Sequence, residues 1–140
     1  MMTANDTGRL RGELRYREPL SRHTSWRVGG NAQRFYRPVD RSDLVLFLQG
    51  LPGDEPLLWL GLGSNLLVRD GGFNGTVLAT KGSLERIEAT AEGLLYVEVG
   101  ATCAGVARAA ARNDMGGIEF LAGIPGTIGE IGRASCRERV

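Results

Sequence analysis

Cysteine, lysine and histidine are all scarce in this chain of 140 residues. Its two cysteines, Cys103 and Cys136, are too few for a disulfide framework or a cysteine-based metal cluster. His23 is the single histidine, so nothing favours a histidine-based triad or metal site. Low cysteine content is typical of reducing compartments, and we therefore expect a cytoplasmic location.

Long apolar runs and an excess of one charge are also missing. No apolar run approaches the roughly 18 residues that cross a bilayer, and the N-terminus lacks the apolar core of a signal peptide. The 17 basic and 16 acidic residues give a net charge of +1. We therefore expect no membrane insertion and no nucleic-acid partner.

Glycine, in contrast, is abundant. Apolar residues make up 42% and charged residues 24% of the chain, which is typical of a soluble globular domain. The 21 glycines are about twice the average usage. They cluster between predicted elements, which indicates that they serve particular turns.

The pattern of apolar residues predicts strands and helices without a strict strand–helix–strand rhythm, and hence an α+β fold with a small mixed sheet. A helix is predicted from a cap at Asp40 or Ser42 to Leu48, and a second from Thr102 to about Asn113. Strands are predicted at 32–39, 57–62, 76–80, 87–91 and 94–100, the last two joined by a turn at Glu92-Gly93. We interpret 118–129 as an irregular, glycine-punctuated loop.

The two ends of the chain differ from its middle. Residues 1–19 are polar and weakly patterned, and we expect a frayed leader there. The last ten residues, IGRASCRERV, have no apolar periodicity and resemble the translation of a sequencing-library adapter. We therefore expect the domain at 20–129, followed by a non-native tail at 130–140 in which Ile131 to Val140 pack against nothing. A genuine basic tail is the alternative.

The strongest local motif is GLGSNLLVRDGGFNG at 61–75, directly after a buried strand. Glycines allow the backbone to approach a ligand closely, and successive amides in such a turn bind anions such as a diphosphate. The sequence matches neither a Walker loop nor a dinucleotide-binding fingerprint, because no lysine is nearby and position 66 is Leu. A tight turn with no ligand is the alternative.

A second motif, GIPGTIG at 123–129, also offers backbone amides and the Thr127 hydroxyl to a ligand. An exposed Pro-Gly turn would have the same residues. The pattern leaves both interpretations open.

Together with HTSWRVGGNAQRFYRPVD at 23–40, these two motifs resemble the UDP-N-acetylenolpyruvoylglucosamine reductase family, flavoenzymes of peptidoglycan precursor synthesis. The resemblance extends from about Leu20 to Gly129. It implies a vanillyl-alcohol-oxidase (PCMH-type) FAD-binding domain, with the first lobe complete and the second partial. The residues it assigns to the FAD diphosphate and flavin are Gly61, Leu62, Gly63, Ser64, Asn65, Leu66, Leu67, Gly123, Ile124, Pro125, Gly126, Thr127, Ile128 and Gly129.

In that family, NADPH reduces FAD, and the flavin passes a hydride to UDP-N-acetylglucosamine enolpyruvate. The resemblance therefore implies a UDP-sugar substrate, NADPH as co-substrate and no metal. The family's catalytic arginine, serine and glutamate follow the second glycine motif. We accordingly expect this stretch to contain no catalytic residue and to be inactive by itself.

Two other readings stay open at this point. One is another PCMH-type flavin oxidoreductase, such as a sugar or hydroxy-acid oxidase. The other is a non-catalytic flavin- or nucleotide-binding module. The sequence after Gly129 in the source genome would separate them.

Overall fold

The computed structural model describes residues 8–137, with side chains as far as residue 132. It contains six strands, three α-helices and two 3₁₀ helices within that range. The strands are β1 (Glu13–Pro19), β2 (Asn31–Arg37), β3 (Leu57–Leu60), β4 (Phe73–Ala79), β5 (Ile87–Ala89) and β6 (Leu95–Val97). The α-helices are α1 (Arg41–Gln49), α2 (Cys103–Arg112) and α3 (Ile128–Arg137), and the 3₁₀ helices are Leu20–Arg22 and Glu119–Gly123.

The first lobe is a four-stranded mixed sheet in the order β1-β2-β4-β3. Strand β1 runs antiparallel to β2, whereas β2, β4 and β3 are mutually parallel. The carboxyl ends of the three parallel strands, at Arg37, Leu60 and Ala79, therefore lie at one edge of the sheet. Ligands of open parallel sheets bind outside such an edge.

Apolar side chains cover both faces of this sheet, as the continuous apolar runs predict. One cluster contains Phe35 and Val77 with Leu20. The other contains Tyr36 and Leu78, which pack against Phe47 of α1. Alternate residues of the same strand thus serve opposite faces.

Two carboxylates hold the start of helix α1: Asp40 at its N-cap and Asp43 in its first turn. Asp40 is its N-cap and accepts a hydrogen bond from the Asp43 amide at 2.9 Å. Asp43 is buried and accepts from the Tyr36 hydroxyl at 2.7 Å and from the Val39 and Arg11 amides. Burial raises the pKa of Asp43, but these donors outweigh it, and the pKa lies below its ordinary value.

The second lobe packs the β5–β6 hairpin against α2 and the start of α3. The Thr102 hydroxyl caps α2 by accepting from the Gly105 amide at 3.1 Å. Val106 of α2 belongs to a buried cluster with Ala101, Cys103 and Leu121. The predicted hairpin and cap are both present, with shorter strands than predicted.

The predicted leader at 1–19 and the predicted loop at 118–129 are each wrong for particular residues. Residues Glu13–Pro19 form an edge strand paired to β2, not a frayed leader. The strand was not evident because only one of its two faces packs on apolar residues. The loop predicted over 118–129 contains the 3₁₀ helix Glu119–Gly123 and the start of α3.

The predicted tail also begins inside an element. Helix α3 starts at Ile128, and Ile131 packs against the core of the second lobe. The expectation that residues from Ile131 onward pack against nothing is therefore wrong for Ile131. Its side chain lies one helical turn from Ile128, so both reach the same apolar cluster. Val140 lies outside the described residues.

Candidate functional site

Two adjoining cavities lie beside the turn that follows β3. The larger has a volume of about 970 Å³ and the smaller about 270 Å³. Gly61 lines both of them. The first glycine of the motif at 61–75 is therefore shared by the two cavities.

The larger cavity is lined by cations and, among the described residues, by no acidic side chain. Its charged residues are Arg22, Arg27, Arg37 and Lys81. Arg37 and Lys81 come from the carboxyl ends of β2 and β4, next to the turn at Gly61. Within the described part of the chain, only Arg37 of these four forms an ion pair, with Glu13 at 3.1 Å. This arrangement suits an anionic ligand at the sheet edge.

Gly63 is required by packing within the protein. Its φ is +70°, a conformation that favours glycine. A β-carbon there would overlap the carbonyl oxygen of His23. The Ser25 amide donates to the Gly63 carbonyl at 2.9 Å, which holds the segment after Leu20–Arg22 against this turn.

The next two residues of the turn keep free polar groups. The Ser64 hydroxyl oxygen is buried and has no hydrogen-bond partner among the residues that the structure describes. Among the described residues, none accepts a hydrogen bond from the Ser64 or Asn65 amide. A buried hydroxyl without a partner is costly, and a ligand that bonds to it would remove that cost.

The second glycine motif forms the N-terminus of α3. The Thr127 amide donates to the Glu130 carboxylate at 2.7 Å, and the Glu130 amide lies 3.4 Å from the Thr127 hydroxyl oxygen. This reciprocal pattern is a capping box. The T-x-x-E signature is present in the sequence. The predicted boundary between the loop at 118–129 and the tail at 130–140 separates Thr127 from Glu130, so the sequence analysis does not identify the cap.

The same carboxylate links the two motifs. The Leu62 amide donates to Glu130 at 3.4 Å. A β-carbon on Gly61 would lie 2.5 Å from the Glu130 carboxylate and 2.6 Å from the Thr127 hydroxyl oxygen. At Gly61 the first lobe thus lies directly against polar groups of Thr127 and Glu130.

Of the fourteen predicted site residues, four line the cavities: Gly61, Leu62, Thr127 and Gly129. Three others use their side chains for packing, Leu66 in the first lobe and Ile124 and Ile128 in the second. The Ile128 and Gly129 amides donate to the carbonyls of Ala101 and Val99, so they are already paired. The remaining residues lie outside the cavity walls: Gly63, Ser64, Asn65 and Leu67 follow β3, Gly123 ends the second 3₁₀ helix, and Pro125 and Gly126 precede α3.

Sequence reasoning missed the cations and Glu130. Lys81 is the sole lysine. Its position just after a predicted parallel strand is the signal that could have placed it at the carboxyl edge of the sheet. Arg22 and Arg27 are brought to the cavity by the turn around His23, which local pattern does not reveal.

A partly buried, hydrogen-bonded cluster of side chains supports that turn. Glu18 accepts from His23 Nε2 at 2.8 Å and from Arg15 at 2.9 Å, and the His23 ring stacks on Phe35 at 4.5 Å. Burial raises the pKa of Glu18, but the His23 and Arg15 donors outweigh it and lower the pKa below its ordinary value. His23 therefore has a structural position beside the cavity.

Comparison with known proteins agrees with this geometry. Residues 32–131 match the family described as FAD binding domain. Because the match covers more than half of the chain, the chain belongs to this family. The predicted cofactor, FAD, is confirmed at the level of the family, and so is the predicted fold class.

The most similar relatives share one name. The chain is 60% identical over 120 residues to UDP-N-acetylenolpyruvoylglucosamine reductase of Nitrosococcus oceani, covering 86% of this chain and 40% of the relative. It is 59% identical over 119 residues to the Methylococcus capsulatus reductase, covering 85% and 39%. The Legionella pneumophila (strain Corby) reductase is 52% identical over 128 residues, covering 91% and 42%. The chain thus spans about two fifths of the length of the curated relatives it matches.

A solved structure shows the same fold. The UDP-N-acetylenolpyruvylglucosamine reductase of Thermus caldophilus superposes with a TM-score of 0.61 at 28% identity, over 86% of this chain and 40% of that one. The predicted resemblance is confirmed, and the oxidase and binding-module alternatives are not favoured. Within residues 8–137, no helix is long and apolar enough to cross a membrane.

Proposed function

We propose that this chain holds the diphosphate and flavin of FAD at the meeting point of its two lobes. It would do so as the cofactor-binding part of a cytoplasmic reductase that acts on UDP-N-acetylglucosamine enolpyruvate with NADPH. The observation that carries the proposal is the cation-lined cavity at the carboxyl edge of a parallel sheet, beside a turn with a buried, unpartnered hydroxyl. Family membership supplies the cofactor.

The residues present fit a flavin dinucleotide. Gly61 and Leu62 line the larger cavity, and the Ser64 hydroxyl and the amides of Ser64 and Asn65 follow them in the same turn, from which they would turn toward the ligand to donate. Arg27 and Lys81 would neutralise the two phosphate charges, since no acidic residue lines the larger cavity. FAD, when bound, supplies hydride transfer; the residues of this chain bind it and orient it.

Catalytic groups belong to a different part of the proposal. Reduction of an enol ether requires stabilisation of an anionic intermediate and protonation on carbon, each worth roughly 10²–10⁴-fold in rate. The resemblance assigns those groups to positions after Gly129. We propose no catalytic residue within the described part of this chain.

The test is a titration of the refolded, flavin-free chain with FAD, followed by the change in flavin fluorescence. Arg27→Gln with Lys81→Gln should weaken binding by about tenfold or more, because two charge-assisted contacts to phosphate are lost. The matched control is Arg108→Gln with Arg112→Gln, which removes two charges from α2 at positions outside both cavities. Equal FAD affinity in both double variants would contradict the proposed phosphate site.

The choice between reductase and oxidase is tested on the full-length gene that encodes this segment. NADPH absorbance is followed with UDP-N-acetylglucosamine enolpyruvate as acceptor, and oxygen consumption with sugars and hydroxy acids. The proposal expects substrate-dependent NADPH oxidation. Oxygen-dependent oxidation of a sugar or hydroxy acid alone would overturn it.

A further inference from the structure

A single side-chain hydrogen bond ties the cavity loop, residues 20–30, to the edge strand β1. Glu18, near the end of β1, is buried and accepts from His23 Nε2 at 2.8 Å. Among the described residues, no other side chain of the cavity loop forms a hydrogen bond or ion pair with a residue outside the loop. The polar side-chain contact between the sheet and this loop is therefore concentrated at Glu18.

An irregularity in β1 turns Glu18 toward the cavity loop. Arg17 has a φ of +53° and is left out of the β1–β2 pairing, which resumes at Glu18. In a regular strand Arg15 and Glu18 would point to opposite faces of the sheet, yet here Arg15 Nη1 donates to Glu18 Oε1 at 2.9 Å. The His23 ring stacks on Phe35, which lies opposite Arg15 in β2. The irregular backbone thus brings Glu18 to the face that the cavity loop covers.

The cavity loop carries two of the four cations of the larger cavity. Arg22 and Arg27 lie on either side of His23 in the chain and line that cavity. Neither forms an ion pair with a described residue, so their placement depends on the backbone of the loop. The Leu20 amide donates to the Gly30 carbonyl at 3.1 Å and closes the loop, and Arg27 has a φ of +53°. Left-handed backbone at a residue other than glycine persists only where the surrounding structure enforces it.

We infer that Glu18 is a positioning residue for the FAD phosphate site, because it holds His23 and, through His23, the cavity loop with its two arginines. This inference rests on the proposed function, which takes the FAD diphosphate as the ligand. Glu18 is not among the residues that line either cavity, so it acts through the loop and not by contact with the ligand. A carboxylate near an anion site would by its charge alone weaken binding. Removal of Glu18 should nevertheless weaken FAD binding, whereas simple charge repulsion would make its removal strengthen binding.

Three variants separate the hydrogen bond of Glu18 from its charge. Glu18→Ala removes both, whereas Glu18→Gln removes the charge and keeps an oxygen that accepts from His23. His23→Ala removes the other partner of the same hydrogen bond and leaves Glu18 paired with Arg15. Glu88→Gln is the matched control, because Glu88 is an exposed strand residue outside both cavities.

The dissociation constant for FAD is measured by flavin fluorescence, and the free energy of unfolding of each variant by urea denaturation. We expect Glu18→Ala and His23→Ala each to bind FAD about tenfold more weakly, since binding then has to order the cavity loop. The double variant should bind no more weakly than either single variant, because both substitutions break one contact. Glu18→Gln should lose at most about threefold, as a neutral acceptor holds His23 less strongly than a carboxylate. Glu88→Gln should bind like wild type.

Other results would overturn the inference and leave the proposed function standing. Wild-type affinity in both alanine variants, even if their unfolding free energy falls, would show that the pair serves the fold alone. Tighter binding by Glu18→Ala and Glu18→Gln alike would show that Glu18 acts only as a repelling charge. If Glu18→Ala does not fold, His23→Ala decides in the same way, and failure of both to fold would make the pair a structural requirement. Absence of FAD binding by the wild-type chain would instead overturn the proposed function together with the inference.

Discussion

Gly63 and His23 approach so closely that the Cα of Gly63 faces the carbonyl oxygen of His23 with no room for a methyl group. Gly63→Ala should therefore destabilise the chain by about 1–3 kcal/mol, through the overlap and the positive φ together. Thermal unfolding followed by circular dichroism measures the change. Gly71→Ala is the control, because a β-carbon at Gly71 meets nothing within 4 Å and its φ is not positive. A Gly63→Ala variant as stable as wild type that fails only to bind FAD would show that this glycine serves the ligand instead.

The Ser64→Ala substitution should affect FAD binding and the free energy of unfolding differently. Ser64→Ala removes a buried hydroxyl that has no partner in the described part of the chain, so we expect unfolding free energy to stay within about 0.5 kcal/mol of wild type or to rise. FAD binding should weaken by roughly tenfold, since one hydrogen bond to the cofactor is lost. Chemical denaturation and flavin fluorescence measure the two effects. Unchanged FAD affinity would remove Ser64 from the site.

The lowered pKa of Asp43 predicts how the free energy of unfolding depends on pH. Its pKa in the folded chain lies below the ordinary value, which applies to the unfolded chain. The stabilisation is therefore present at neutral pH and is lost as pH falls through the folded pKa. Asp43→Asn should lower unfolding free energy by about 1–3 kcal/mol at pH 7 and flatten the acid limb of the stability curve. Urea denaturation from pH 7 to 3 measures both, with exposed Asp54→Asn as the control.

Thr127 tests the capping box. Its hydroxyl lies 3.4 Å from the Glu130 amide and it is almost wholly buried. Thr127→Val keeps the shape and removes the cap, so we expect a loss of about 1 kcal/mol in unfolding free energy. Thr127→Ser keeps a cap hydroxyl and should lose less. The reverse order of stability would contradict the capping role.

Ile131 tests where the second lobe ends. Its side chain packs on the cluster that contains Val106 and Leu121. Ile131→Asp should destabilise the chain by about 2 kcal/mol or more, because a charge would enter an apolar contact. The exposed neighbour Gly132 offers the control Gly132→Asp. Equal stability of the two variants would restore the earlier expectation of an unpacked tail.

The sequence by itself determined much of the fold. The apolar runs at 57–62 and 76–80 predict buried parallel strands because both faces of such strands are covered, and the structure has these strands at Leu57–Leu60 and Phe73–Ala79. The cap at Thr102 is predicted by the sequence, and Asp40 is one of the two candidates it offers for α1, since a helix start depends on residues close together in the chain. Family resemblance added the cofactor, which no local pattern specified.

Tertiary structure decided the composition of the site. Arg27, Arg37 and Lys81 come together only because three parallel strands end at one edge and the His23 turn folds over it. The packing requirement at Gly63 arises from the His23 carbonyl, which the tertiary structure brings beside it. The contact between Glu130 and the Leu62 amide joins residues 68 positions apart. Local periodicity reports on neighbours within a turn or two of the chain, whereas these contacts depend on the order of strands in the sheet and the docking of the two lobes.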